Sequence, residues 1–204
     1  MELMQAYRLS FTAAGLALTD SIKVAEVYLS CNNWTTTREI LTEKNILQSR
    51  TISRGKRMLA ELIPRLSLLT HEQLLLLVDG SLEEQKLLLW FTVCKTYLFI
   101  RDFAMEVLHQ KFLVMDRLVT SDDVNAFFLR KLDSHIELEK ITNSTKAKLL
   151  SQVSHMLREA DLVNSNDQIL RVIPSRRLSI ALNPDAGFAY EIYPAFPEEF
   201  ELTL

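Results

Sequence analysis

Arg50, Arg54, Lys56 and Arg57 fall within residues 46–60, ILQSRTISRGKRMLA, and no Asp or Glu stands among them. Side chains of this kind neutralise phosphates, and Arg also forks onto base edges. Ser49, Thr51 and Ser53 are interleaved with them as neutral donors. A second, looser set comprises Lys146, Lys148, Arg176 and Arg177; Lys146 and Lys148 are two apart, hence on different sides of a helix. The chemistry on offer is contact with nucleic acid. The competing reading of any charge run is a solvated helix face. Two details weigh against it in 46–60: the lack of acidic partners, and the position at the start of a second helix in helix-turn-helix order.

Other chemistries find little support. The four histidines, His71, His109, His135 and His155, form no close pair and no HExxH spacing, and Cys31 and Cys94 read as small buried hydrophobes. No Walker-type GxxxxGK, GxSxG or GxGxxG run is present. The adjacent acids Glu83-Glu84 and Asp122-Asp123 sit where helices begin and the dipole favours them. Trp34 and Trp90 have apolar neighbours at helical spacing and belong to a core rather than to a base-stacking platform. The reading is therefore non-enzymatic: no catalytic residue, no metal, no cofactor and no small-molecule substrate.

Composition narrows the partners. A formal net charge of −3 argues against a wholly basic binder, so any nucleic-acid surface must be local. Two cysteines give no disulfide framework, and MELMQAYRLSF lacks a basic segment followed by an apolar one, which points to the cytoplasm. The most apolar stretch, LLLWFTVCKTYLFI at 87–100, is interrupted by Lys95 and falls short of the roughly 20 residues a spanning helix needs. It reads as a helix buried nearly all round, and no membrane partner is expected.

The elements that must position the basic residues are helical, as four Gly and five Pro in 204 residues suggest. Apolar spacing predicts a first helix over 12–29 and a second from Asn33 or Thr35 to Asn45. A third starts near Thr51, with Ile52, Leu59, Leu62, Ile63 and Leu66 inward. Arg54, Arg57 and Arg65 share its solvent stripe, and Pro64 kinks it or starts another helix. Thr70–Gln73 and Ser81–Glu84 are capping-box patterns that open a helix over 71–79 and a long one from Leu82 to about Leu118, broken at most once. Ser121 caps a further helix, and others follow over 136–141 and 144–160.

After Leu162 the pattern changes. QILRVI at 168–173 and LSIAL at 178–182 are short β-compatible runs around Pro174-Ser175-Arg176-Arg177. The fold class that results is mainly α: a helical N-terminal and central body with helix-turn-helix character, then a winged-helix-like C-terminal part with a short β-hairpin. Its recognition helix is 144–160 and its wing carries Arg176 and Arg177. The expected organisation is 1–118, with the helix-turn-helix-like segment at 34–66, then 119–182, then a tail at 183–204. That tail holds Asp185, Glu191, Glu198, Glu199 and Glu201 with alternating aromatics and no Lys or Arg, and reads as an extended arm packed along the body.

Several stretches resemble one family. YRLSFTAAGL at 7–16, VAEVYL at 24–29, NILQSRTISRGKR at 45–57, GSLEEQKLLLWFTVCKTYLFIRDFAMEVL at 80–108 and STKAKLLSQVSHMLREADL at 144–162 are similar to the signature stretches of BrxA, the small protein of bacterial BREX phage-defence systems. The resemblance covers most of residues 7–182; the segment after Asn183 has no counterpart. It implies a mainly helical protein, compared in fold with the RNA-binding antitermination factor NusB, and a role in binding double-stranded DNA. It implies no catalytic residue. Two other functions stay open on the residues: a NusB-like RNA-binding factor, and an assembly subunit that binds other BREX proteins.

Overall fold

Side-chain caps begin most of the long helices near where the sequence places them. The computed structural model describes residues 6–200. A 3₁₀ turn at Ser10–Ala13 precedes α1 (Leu18–Cys31). The helix starts six residues later than the apolar spacing predicts, because Gly15 (φ 58°) and Ala17 (φ 52°) take left-handed conformations that no helix continues through. A Cβ at Gly15 would also stand 2.8 Å from Glu159 Oε2, which accepts the Leu16 N–H at 3.0 Å, so that carboxylate would have to shift.

Asn33 Oδ1 accepts from Thr36 N at 3.0 Å and opens α2 (Trp34–Glu43); Thr51 Oγ1 accepts from Arg54 N at 3.2 Å and opens α3 (Ile52–Leu66). Pro64 lies within the last turn of α3, which continues through it to Leu66. Both expected capping boxes form, reciprocal between Thr70 and Gln73 at α4 (His71–Asp79) and between Ser81 and Glu84 at α5 (Leu82–Thr96). The long helix breaks once, at Tyr97, whose extended backbone turns its ring into the core. It resumes as α6 (Leu98–Phe103), a π-helical turn at Ala104–His109, and α7 (Gln110–Leu113). The next helix, α8 (Ser121–Leu132), is capped by Thr120 with Asp123 rather than by Ser121. A short α9 (Ile136–Glu139) leads to α10 (Asn143–Glu159), capped by Thr142.

The C-terminal part corrects the winged-helix expectation. Among the described residues there is no sheet: 168–173 is extended and makes only the isolated bridges Leu118–Gln168 and Val163–Ile169. LSIAL is helical, forming most of α11 (Arg176–Leu182), with Ser175 as its cap. Leu178, Ile180 and Leu182 alternate like a strand, but Leu178 and Leu182 are buried and Ile180 is 55% exposed, the pattern of a helix face four residues apart. No wing exists to carry Arg176 and Arg177, which sit in the first turn of α11.

The segment after Asn183 is not an extended arm either. It folds as a 3₁₀ turn (Asn183–Asp185), α12 (Ala186–Ile192) and α13 (Pro197–Phe200), with Glu201 lying outside the described residues. Its aromatics complete the core around α5, in which every residue from Leu87 to Cys94 is buried. The Trp90 indole donates to Ile192 O at 2.9 Å, Tyr193 Oη donates to Leu87 O at 2.7 Å, and Phe91 meets Phe188 edge to face. Each large apolar side chain so buried contributes roughly 1.5–3 kcal/mol. Residues from Tyr7 to Phe200 share one apolar core. Among the described residues no helix is long and apolar enough to cross a membrane.

Candidate nucleic-acid interface

The first basic cluster stands at the free end of α3. Helices α1, α2 and α3 pack against one another, and α3 also packs on α5, but only from Leu59 onward does α3 bury side chains. None of residues 52–58 is buried, and apart from half-buried Gly55 and Met58, the latter packed against the core, this stretch faces solvent. Ile52, expected inward, is 74% exposed. The periodicity that assigns it to the core is right for Leu59, Leu62, Ile63 and Leu66, but none of the described residues covers Ile52.

The approach to this end is shaped by residues 44–51. Asn45 (φ 44°) and Gln48 (φ 50°) turn left-handed, and Asn45 Oδ1 accepts Ser49 N at 3.0 Å. The turn folds back so that a Cβ on Gly55 would stand 3.3 Å from Ser49 Oγ. At eight residues it is longer than the three or four of a helix-turn-helix connection. A cleft of about 360 Å³ opens between the end of α2 and the start of α3, with Ser49, Arg50, Thr51, Gly55 and Lys56 on its walls and Glu43 as its acid.

Arg50, Arg54, Lys56 and Arg57 are exposed, and none forms an ion pair among the described residues. Asp20 of α1 lies near enough to feel Arg54: burial pushes its carboxyl above the usual range, with Lys23 and Arg54 opposing. Arg50 precedes the Thr51 cap and so belongs to the turn rather than to the helix face. The hydroxyls divide: Thr51 caps the helix, Ser49 is half-buried in the turn, and Ser53 is exposed.

Arg65, placed by spacing on the stripe of Arg54 and Arg57, is 2% exposed. Its Nη1 donates to Gly15 O at 2.5 Å and its Nε to Tyr97 Oη at 3.0 Å, while Tyr97 Oη donates to Glu61 Oε2 at 2.5 Å. Glu61 is in turn paired with Arg8 at 3.1 Å. This stretch of α3 lies beneath the 3₁₀ turn, so Arg65 is removed from any ligand surface.

The second set is not brought together as one patch. Lys146 lies over the Phe128 ring at 4.7 Å, on the side of α10 that packs on α8, while Lys148 is exposed. Arg176 and Arg177 are on α11, which packs on α4, and Arg177 is paired with Asp79 at 2.6 Å. Sequence reasoning left Gly55 and Ile52 out of the cleft that they line.

A family model described as BrxA matches residues 5–185. The chain belongs to the BrxA family. It is similar to the BREX protein BrxA of Bacillus cereus (strain H3081.97), with 27% identity over 123 residues, 60% of this chain and 62% of that relative's length. A crystal structure of an uncharacterized protein from Magnetospirillum magneticum has the same fold, with a TM-score of 0.80, 19% identity and coverage of 92% of this chain and 98% of that one. The BrxA match takes in both basic sets and ends within the 3₁₀ turn before α12.

Proposed function

We propose that this BrxA-family protein binds double-stranded DNA, without catalysis, as a component of a BREX phage-defence system in the cytoplasm. The observation that carries the reading is the exposed start of α3, around which four cations stand without ion-pair partners among the described residues. An unpaired cation keeps its full charge for phosphate and releases a counterion when it binds. Arg54, Lys56 and Arg57 are the phosphate contacts on the helix and Arg50 on the turn, with Ser53 as a neutral donor. Lys148 and Arg176 remain exposed for secondary contacts, whereas Lys146 and Arg177 are engaged within the chain. Family membership and the name of the Bacillus cereus relative support the BREX assignment.

Titration of the full chain with duplex DNA and with structured RNA tests the reading. Duplex affinity should fall with salt at a slope of roughly −4 to −5 in log–log form if four to six phosphates are neutralised. A flat salt response would exclude the basic clusters as the contact surface. Preference for the RNA would favour a NusB-like factor instead.

A second reading, assembly with other BREX proteins, has its own observation. Leu113 at the end of α7 and Val114, Met115 and Leu118 beyond it are exposed apolar side chains, Val114 72% and Met115 65% exposed. Such runs are places where partners bind.

A further inference from the structure

We infer that the cleft between α2 and α3 receives a single nucleotide turned out of the base stack, so that the protein prefers DNA with an unpaired base over fully paired DNA. The inference rests on the DNA-binding reading above and adds a pocket and the unit of DNA that it takes.

The two faces of α3 have different roles. Ile52, Gly55, Lys56 and Leu59 line the cleft. Their spacing of i, i+3, i+4 and i+7 is one face of a helix. At about 100° per residue, Arg54 and Arg57 each fall within about 30° of the opposite side. The outward arginines are left for phosphates elsewhere on the duplex, and Arg50 and Lys56 are the cations of the cleft itself.

The lining combines three chemistries. Buried Leu41 and Leu59, with half-buried Leu47, give an apolar floor, and exposed Ile52 stands at the edge. Gly55 gives up helix propensity and leaves the middle of the α3 wall without a side chain, with Ser49 Oγ 3.3 Å from where its Cβ would be. Glu43, at the end of α2, shares the cleft with Arg50 and Lys56 yet forms no ion pair among the described residues. A bare anion would meet Glu43 as well as the cations, and an apolar ligand would strip water from all three charges without replacing it.

A nucleotide answers each part. Its flat base suits the leucine floor, an amino group on the base edge can donate to the Glu43 carboxylate, and its phosphate lies with Arg50 and Lys56. Cytosine, whose N4 amino group is a donor that Glu accepts, fits this lining, whereas thymine has no amino group. The volume of about 360 Å³ is near the lower end of ligand sites, room for one base rather than a stacked run. Within paired DNA the faces of a base are covered and its edge is engaged, so only a base out of the stack can enter.

The test uses the full chain, fluorescence anisotropy and otherwise identical duplexes that are fully paired, carry a bulged cytosine or thymine, or carry an abasic residue in the bulge. The bulged cytosine should bind at least about fivefold more tightly than the paired or abasic duplex, the worth of one stacked base. Gly55→Leu fills the cleft and should abolish that preference while leaving the paired duplex bound as before. Glu43→Ala should abolish the preference for bulged cytosine over bulged thymine. Arg54→Ala/Arg57→Ala, on the other face, should weaken every duplex by one common factor. Melting temperatures are measured alongside; should Gly55→Leu fail to fold, Glu43→Ala decides, since Glu43 is exposed. Equal binding of bulged, abasic and paired duplexes by the parent would overturn the inference and leave the DNA-binding reading standing. If dCMP alone binds tightly while the duplexes are bound alike, the cleft serves a free nucleotide and its place in DNA binding is overturned. No binding to any duplex removes the DNA-binding reading, and the inference with it.

Discussion

The two ends of α3 carry the same residue type and meet opposite fates. Arg54 and Arg65 are eleven residues apart, which is three turns and about 20°, so they lie on nearly one line of the helix. Arg54 is exposed, with no ion-pair partner among the described residues, whereas Arg65 is enclosed by Gly15, Tyr97 and the neighbouring Glu61. What separates them is about 16 Å along the axis, enough for the 3₁₀ turn at Ser10–Ala13 to cover one and miss the other. A helical wheel assigns direction but not cover. The role of a cation is settled by what stands over it.

The comparison predicts separable losses, the largest in stability at the buried end. Arg65→Ala removes two hydrogen bonds from a charged donor and leaves a cavity, and should cost about 3 kcal/mol or more by urea unfolding. An unchanged midpoint would mean that the network around Tyr97 contributes little. At the projecting end the expectation reverses. Arg50→Ala/Arg54→Ala/Arg57→Ala should change stability by no more than about 0.5 kcal/mol per site, yet reduce duplex affinity strongly and shrink the salt slope by roughly 2 to 3 units.

A smaller effect is expected when Lys146, Lys148, Arg176 and Arg177 are replaced by Ala, because Arg177 is bound to Asp79 and Lys146 lies on Phe128. A larger loss than in the α3 variant would show that the wrong end of the molecule has been chosen. The smallest effect concerns acid. The Ser175 hydroxyl, bonded to Glu84 Oε1 at 2.5 Å, holds that carboxyl below its usual range, with burial opposing and Ser81 assisting. A carboxyl with a lowered folded value stabilises fully above its unfolded value, near pH 4.3, and that contribution is lost as pH falls through the folded value. Glu84→Gln should therefore flatten part of the stability loss between about pH 5 and 3, read by thermal melts; equal slopes in both proteins would remove Glu84 from the account.

Local chemistry was the legible part of the fold. Thr70 with Gln73 and Ser81 with Glu84 announced two helix starts, and the apolar run at 87–100 announced the buried helical stretch at 87–94 though not its break at Tyr97, since these signals lie within a few residues of their effect. Ile52, Arg65 and LSIAL were misread because their surroundings come from distant segments. LSIAL fits both a strand and a helix, and only its packing on α4 decides. The basic cluster of the candidate site could be read as residues, but its projection depended on where the neighbouring helices end.

The last segment of the chain has a bearing on synthesis. Trp90, Phe91 and Leu87 find their lids in Ile192, Phe188 and Tyr193, roughly a hundred positions later. A ribosome adding about 5–20 residues per second needs several seconds or more to cover that distance. Throughout that interval the most apolar helix of the nascent chain has lost water on some sides and kept it on one. Chains truncated before Tyr193 should leave part of α5 uncovered and aggregate more readily than the full chain.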